Sequence, residues 1–191
     1  MTGQAIHPGV EVRARGRWPE PGDTVPPPVR GFAISTFGPV VVQAAVRCLE
    51  RAPAVPADAG GATALVLVSA RADQTTAGLI SVAVDAGRRV APMVFFQSVP
   101  NSVLGHLAAE LRLTGPVVCV SPVGDPVAEG FEIADGLFRD GDATRALVIV
   151  ADQDQGPDRG GGLALDPPAS GTALALLVVP SDNHTSEGGS S

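Results

Sequence analysis

FFQSVPNSVLGHLAAELRLTGPVVCVSPVGDPVAEGFEIADGLFRDGDATRALVIVAD, residues 95–152, is the stretch that decides the fold. Leu104, Leu107, Ala108 and Leu111 recur at helical spacing, and Asn101 after Pro100 is a favourable helix cap. Residues 116–121 are apolar on both faces, as a strand buried in a parallel sheet must be. Asp125-Pro126 then supplies a cap and a first-position proline for a second helix, and residues 146–151 form another buried strand. Helix, strand, loop, helix, strand is the rhythm of an α/β sheet, and the loop Ser121-Pro-Val-Gly-Asp-Pro126 falls at the carboxyl end of a strand, where such sheets place their ligands.

The same rhythm extends towards the N-terminus. Residues 63–69 hold the apolar run Ala64-Leu-Val-Leu-Val68, and a helix is expected from near Asp73 to Ala86. Before them, Pro39 opens a helix over residues 39–51, with Gln43, Arg47, Glu50 and Arg51 on one arc and Val41, Val42, Ala45, Cys48 and Leu49 on the other. Residues 29–35, VRGFAIS, read as a strand feeding that helix, and 92–96 as short and irregular. Residues 1–28, rich in Pro, Gly and Arg, show no periodicity and read as a leader. Trp18 either docks that leader on the body or stands exposed. Towards the C-terminus, a Gly- and Asp-rich connection over 153–170 leads to a last strand at 172–179, and 181–191 is a polar tail expected to be disordered. The boundaries are therefore a leader (1–28), one domain (29–180) and a tail (181–191).

With 191 residues, 45% hydrophobic and 17% charged, the chain can bury a core. Its net charge of −7 and pI near 4.8 disfavour nucleic acid and anionic lipid as partners. All 13 basic residues are arginine. The lack of lysine removes P-loop chemistry, Schiff bases and lysine general bases. The two cysteines, Cys48 and Cys119, fall within a helix and a strand and fit buried thiols in a reducing compartment. The first residues lack the apolar run of a signal peptide, and no window reaches the roughly 18 apolar residues of a membrane span, so a cytoplasmic protein is expected.

Val99-Pro-Asn101 before a helix, Leu113-Thr-Gly-Pro116 before a strand, and Val120-Ser121 at its end occur in an order that resembles the N-terminal half of the β-ketoacyl synthases, condensing enzymes of the thiolase fold. The resemblance covers residues 29–179, and the short divergent synthase-like proteins and chain length factors of polyketide and aryl polyene pathways are the most similar in character. It implies a three-layer α/β/α domain around a mostly parallel five-stranded sheet, one half of the thiolase fold. It also implies a nucleophilic cysteine shortly after the Val-Ser strand end, at a position matching about Gly124. Pro122, Val123, Gly124, Asp125 and Pro126 supply neither cysteine nor serine, nor the glutamine seen in chain length factors. Cys119 lies inside the strand, and the family's two active-site histidines belong to a second half that these residues do not match. The family dimerises through the strand preceding the nucleophile, which maps here to Pro116, Val117, Val118, Cys119, Val120 and Ser121.

Placed on a helical wheel, residues 125–140 put Asp125, Glu129, Glu132, Asp135, Arg139 and Asp140 on one arc and Val127, Phe131, Ile133, Ala134, Leu137 and Phe138 on the other. Burying the charged arc unpaired would cost several kcal/mol per group, so that face is expected to meet water or a polar partner.

Other motifs are weak. Asp152-Gln-Asp154-Gln-Gly156 starts like a calcium loop, but the twelfth position is Leu163 rather than glutamate. Gly160-Gly-Gly162 does not follow a strand as a dinucleotide fingerprint requires. No cofactor or metal is expected. The expected role is a non-catalytic, chain-length-factor-like partner of a full-length ketosynthase, of a second copy, or of both, with an acyl carrier protein as a further partner. The alternative is a small cyclase, isomerase or thioester hydrolase acting on a carrier-bound polyketide, with Ser121, His106 and Asp125 recruited for catalysis.

Overall fold

Thr63–Val68 (β2) is buried at every position, because it is hydrogen-bonded on both sides and covered on both faces. A computed structural model describes residues 7–53, 62–153 and 171–181, and β2 lies within its one five-stranded sheet. The other strands are Val10–Trp18 (β1), Val117–Val120 (β3), Arg145–Gln153 (β4) and Gly171–Pro180 (β5), in the order β1-β5-β4-β2-β3. β2 pairs in parallel with β3 and β4, whereas β5 is antiparallel to both β4 and β1. The sheet is therefore mixed, two parallel and two antiparallel pairings, rather than mostly parallel.

Helices cover both faces and complete three layers. Phe37–Glu50 (α1) packs over β1, β5 and β4, and Pro100–Leu111 (α4) over β3 and β2 on the same side. Pro126–Arg139 (α5) packs over β4 and β2 on the other. Alternate β2 residues divide accordingly, Leu65 and Leu67 towards α1 and α4, and Ala64, Val66 and Val68 towards α5. Gln74–Asp85 (α2) and Pro92–Ser98 (α3) lie against each other beside this body.

The strand count of five agrees with the sequence reading, but its membership does not. Residues 29–35 form no strand; Val29 and Phe32 meet only in an isolated bridge, and Phe32 is apolar because it plugs the core. The fifth strand is β1, inside the segment read as an aperiodic leader. Its inward residues after the bulge at Val12/Ala14 are Ala14, Gly16 and Trp18, while Glu11, Arg13, Arg15 and Arg17 face outward. Small inward residues let β1 approach α1 closely: a Cβ at Gly16 would lie 2.8 Å from Cys48 Cα and closer still to backbone atoms of Ala44 and Cys48.

Trp18 is docked, being buried beneath the Arg47 guanidinium, which lies 5.0 Å from its ring centroid. Arg47 also grips Asp23 through two hydrogen bonds of 2.5 and 2.8 Å, and Arg51 grips Glu20 through two of 2.6 and 2.8 Å. The Arg47 guanidinium, helped by the Glu20 backbone N–H, holds the Asp23 carboxyl down at about 2, and Arg51 lowers that of Glu20. Five side chains, those of Trp18, Glu20, Asp23, Arg47 and Arg51, thus tie residues 18–23 to α1.

Two smaller corrections concern α3 and α4. Residues 92–98 are helical, with Pro92 in the first turn. Val99, not Asn101, is the N-cap of α4, and it makes no side-chain hydrogen bond. Of the polar tail, 181–191, Ser181 is described and its N–H donates to Gly9 O at 3.1 Å; the rest of the tail and most of the Gly/Asp-rich connection lie outside the described residues.

Candidate functional site

β3 is short because the chain turns away at Ser121, and Asp125 starts α5 five residues beyond the strand. Asp125 Oδ1 accepts the Ala128 N–H at 2.7 Å, the N-cap that the Asp-Pro pair predicts. The intervening loop is held from the helix side. Glu129 Oε1 accepts the Val123 N–H at 2.8 Å and also the Gly124 N–H. One carboxylate therefore occupies two adjacent backbone donors of the loop. These donors cannot serve a developing oxyanion while the carboxylate sits on them. The sequence offered a signal for this arrangement, a glutamate four residues after an N-cap aspartate, close to the spacing of a capping box.

No nucleophile is poised nearby. Ser121 is exposed, and its hydroxyl makes no hydrogen bond among the described residues. His106 lies in α4 edge-on to Phe32, with centroids 5.7 Å apart. No hydrogen bond among the described residues joins Ser121, His106 and Asp125, and the Asp125 carboxylate is engaged as a cap. Both thiols are free, and burial raises the pKa of Cys48 and of Cys119, the opposite of what a nucleophilic cysteine needs. Val123, at the loop tip, is fully exposed.

The wheel of α5 is largely realised. Phe131 and Ala134 are completely buried, Val127, Ile133, Leu137 and Phe138 partly so, and Glu132, Arg139 and Asp140 are exposed. Asp135 departs from the expectation: it is buried against Gly9 and paired with Arg139 at 3.2 Å. The start of β1, absent from the sequence reading as a strand, is what covers it.

The strand Pro116–Ser121 was expected to be buried on both faces, but β3 is the sheet's edge. Val117 is 42% exposed, and Val118, Cys119 and Val120 are only partly buried. Val118 and Val120 point towards the α5 cluster and Cys119 towards the α1–α4 cluster, while the outer backbone edge of the strand faces no described strand.

A buried polar cluster that the sequence did not reveal lies at the carboxyl end of β2. Asp73 caps α2 through the Thr76 N–H at 2.9 Å and accepts the hydroxyls of Ser35 and Thr76, both at 2.7 Å. Gln97 Oε1 takes the Ile34 N–H at 3.2 Å. The Ile34 N–H is thus satisfied by a side chain rather than by a sheet partner. Asp152, the first residue of the calcium-like motif, accepts the Ser69 hydroxyl at 3.2 Å and the Arg71 N–H at 3.1 Å; residues 154–156 lie outside the described residues.

Comparison with known proteins places this geometry. The sequence model of the family described as beta-ketoacyl synthase, N-terminal domain, matches residues 24–188. No curated protein sequence matches the chain. Among solved structures, the ketosynthase ApeO in complex with its chain length factor ApeC, from Xenorhabdus doucetiae, aligns with a TM-score of 0.66 at 16% identity, over 91% of this chain and 79% of the matched one. The ishigamide ketosynthase/chain length factor aligns with a TM-score of 0.62 at 20% identity, over 87% of this chain and 50% of that one. A beta-ketoacyl synthase from Burkholderia phymatum STM815 gives 0.65 at 13% identity, over 96% and 62%. At such identities the likeness is one of fold, and the chain spans only about half to four-fifths of these structures. Among the described residues, no helix is long and apolar enough to cross a membrane.

Proposed function

Because the chain belongs to the beta-ketoacyl synthase family, matching its N-terminal domain over most of its length, we propose that it is a non-catalytic, chain-length-factor-like subunit that partners a complete ketosynthase in a type II polyketide or polyene pathway. The observation that carries this reading is the loop after β3: it contains no cysteine or serine between Pro122 and Pro126, and the Glu129 carboxylate fills its Val123 and Gly124 amides. A condensing enzyme needs both a thiolate and free donors at that position, and this loop is built to hold its own shape instead.

The open β3 edge supports a partner. Its residues Pro116 to Ser121 carry no charge, and an uncovered apolar strand edge is an aggregation hazard unless another chain covers it. Two of the similar solved structures are described as a ketosynthase with a chain length factor, which makes a ketosynthase the first partner to test, with a second copy and an acyl carrier protein next. In such a pair the subunit would stabilise the synthase and shape the channel that accommodates the growing acyl chain.

The test is co-expression with a complete ketosynthase encoded beside this chain, followed by size-exclusion chromatography. Co-elution of the two chains is expected, and Val117→Lys, which places a charge on the open edge, should abolish it while leaving the far-UV spectrum of the isolated chain unchanged. Turnover of a carrier-bound substrate by the purified chain alone, lost in Ser121→Ala or His106→Ala, would overturn the non-catalytic reading.

A further inference from the structure

α2 covers almost nothing: it buries only Thr76 and lies against α3 beside the body of the domain. Among the described residues ten large apolar side chains are exposed, and seven of them lie between Leu79 and Val99, in α2, α3 and their flanks. Apolar residues scattered singly over a surface are ordinary, but a set gathered on one helical hairpin marks an interaction site. On α3 the exposed Met93, Phe95 and Phe96 share one arc, because Val94 and the buried Gln97 take the other. Leu79 and Val82 of α2 line, with Val90 and Val94, an open groove between the two helices.

The chemistry of this hairpin is that of a protein interface. Residues 74–99 contain Met93, Phe95, Phe96, Arg88 and Arg89 but neither lysine nor glutamate, and interface centres favour Met, Phe and Arg over Lys and Glu. A helix that lies on lipid carries a strongly charged face opposite its apolar one. Here the only charged residues are Asp85, at the end of α2, and Arg88 and Arg89, in the turn that follows. All three are exposed, and none forms an ion pair with a described residue. One acid beside two bases is complementary to the same group turned about a two-fold axis, where a contact from one copy to the other is always returned. Seven half-exposed side chains leave apolar surface on the order of 500 Å². That is most of the roughly 800 Å² that each partner gives to a standard interface.

We propose that the α2–α3 hairpin is a docking surface for a second copy of this chain: two hairpins pack against each other about a two-fold axis, their exposed apolar side chains forming the dry centre and Asp85 of each copy pairing with Arg88 or Arg89 of the other. Such a contact is closed, so assembly through it stops at two. The β3 edge takes no part in it, and the proposal therefore does not rest on the partner-subunit reading.

The experiment is sedimentation velocity on the full chain over about a hundredfold range of concentration. A monomer–dimer equilibrium is expected. Met93→Asp with Phe95→Asp should weaken it at least tenfold with the far-UV spectrum unchanged, whereas Val117→Lys on the β3 edge should leave it intact. The charge pairing has its own test. Asp85→Arg alone, and Arg88→Asp with Arg89→Asp alone, should each weaken dimerisation about tenfold, and mixing the two variants should restore a dimer containing one of each. Hydrogen exchange reads the same surface without a substitution: amides between residues 79 and 99 should be more protected at the dimeric concentration, and those of 117–120 should not change. A chain that stays monomeric throughout overturns the proposal, as does a dimer that survives the Met93/Phe95 variant or is lost in Val117→Lys, or a mixture of the charge variants that fails to pair. Monomeric chain that sediments with vesicles of anionic phospholipid would assign the hairpin to lipid instead. Monomeric chain whose hairpin is protected only by a co-expressed ketosynthase would overturn this proposal and leave the partner reading standing, and a dimer of the isolated chain with no synthase bound would do the reverse.

Discussion

The two edges of the sheet are treated in opposite ways. On one side β1 turns Glu11, Arg13, Arg15 and Arg17 outward, and its approach is secured from behind by Gly16, Trp18 and the arginine clamps on Glu20 and Asp23. On the other side β3 is four residues long and carries no charge, and its Val117 is exposed. Charged edges resist strand addition, and uncharged ones invite it. Under the proposed function the chain closes its β1 boundary to strand addition by charge and leaves the uncharged β3 edge for a partner.

The largest effect should come from breaking the closed edge. Gly16→Val drives a side chain into the α1 backbone at Ala44 and Cys48, and should lower stability by more than about 3 kcal/mol in urea denaturation. An unchanged midpoint would mean that β1 is not a working part of the sheet. Next, making the closed edge resemble the open one should alter association without altering the fold. Arg15→Val with Arg17→Val is expected to stay within about 0.5 kcal/mol of the parent in stability, yet to show concentration-dependent self-association by light scattering.

A smaller effect is expected beyond the open edge. Glu129→Gln weakens the acceptor for the Val123 and Gly124 amides, so stability should fall by about 1 kcal/mol and exchange of those two amides should accelerate. The smallest effect concerns pH. The Asp23 carboxyl lies at about 2 rather than 3.8, so the clamp it forms with Arg47 contributes fully above the ordinary carboxylate range and is lost as pH falls from 3.8 through about 2. Amide exchange in β1 measured between pH 5 and 2, in steps of about one unit, should accelerate only over that acid interval, and Arg47→Gln should shift the onset to higher pH.

How far the fold could be read from the sequence follows from the same contrast. β2, β4 and β5 announced themselves as apolar runs because they lie in the sheet's interior, and α1 and α5 because each has one wet and one dry face. Asp125-Pro126 located the start of α5 correctly, and the lack of Cys and Ser from Pro122 to Pro126 is legible because the absence of a residue type needs no geometry. β1 escaped although Val10, Val12, Ala14, Gly16 and Trp18 alternate with charged residues, because the Pro, Gly and Arg content of residues 1–28 masked that period-two signal. Residues 29–35 misled because Phe32 is apolar for plugging a core and not for pairing. β3 misled in the opposite sense, since an apolar segment reads the same whether its own chain covers it or not. The Asp73 cluster depends on tertiary approach over many residues, which the sequence alone does not specify, whereas the Glu129 contacts with the loop left a local trace in its spacing from Asp125.

The pairing of β1 with β5 also governs when the sheet can form. Residues 10–18 must wait for 173–180, and β5 bridges β1 to β4, so of the five described strands the one synthesised latest joins the earliest to the rest. Contacts this distant along the chain slow folding, and until they form β4 presents an apolar, unpaired flank of Leu147, Ile149 and Ala151. Synthesis of this protein therefore includes an interval in which its most hydrophobic interior is exposed, and chaperone engagement should be greatest just before residue 180 emerges.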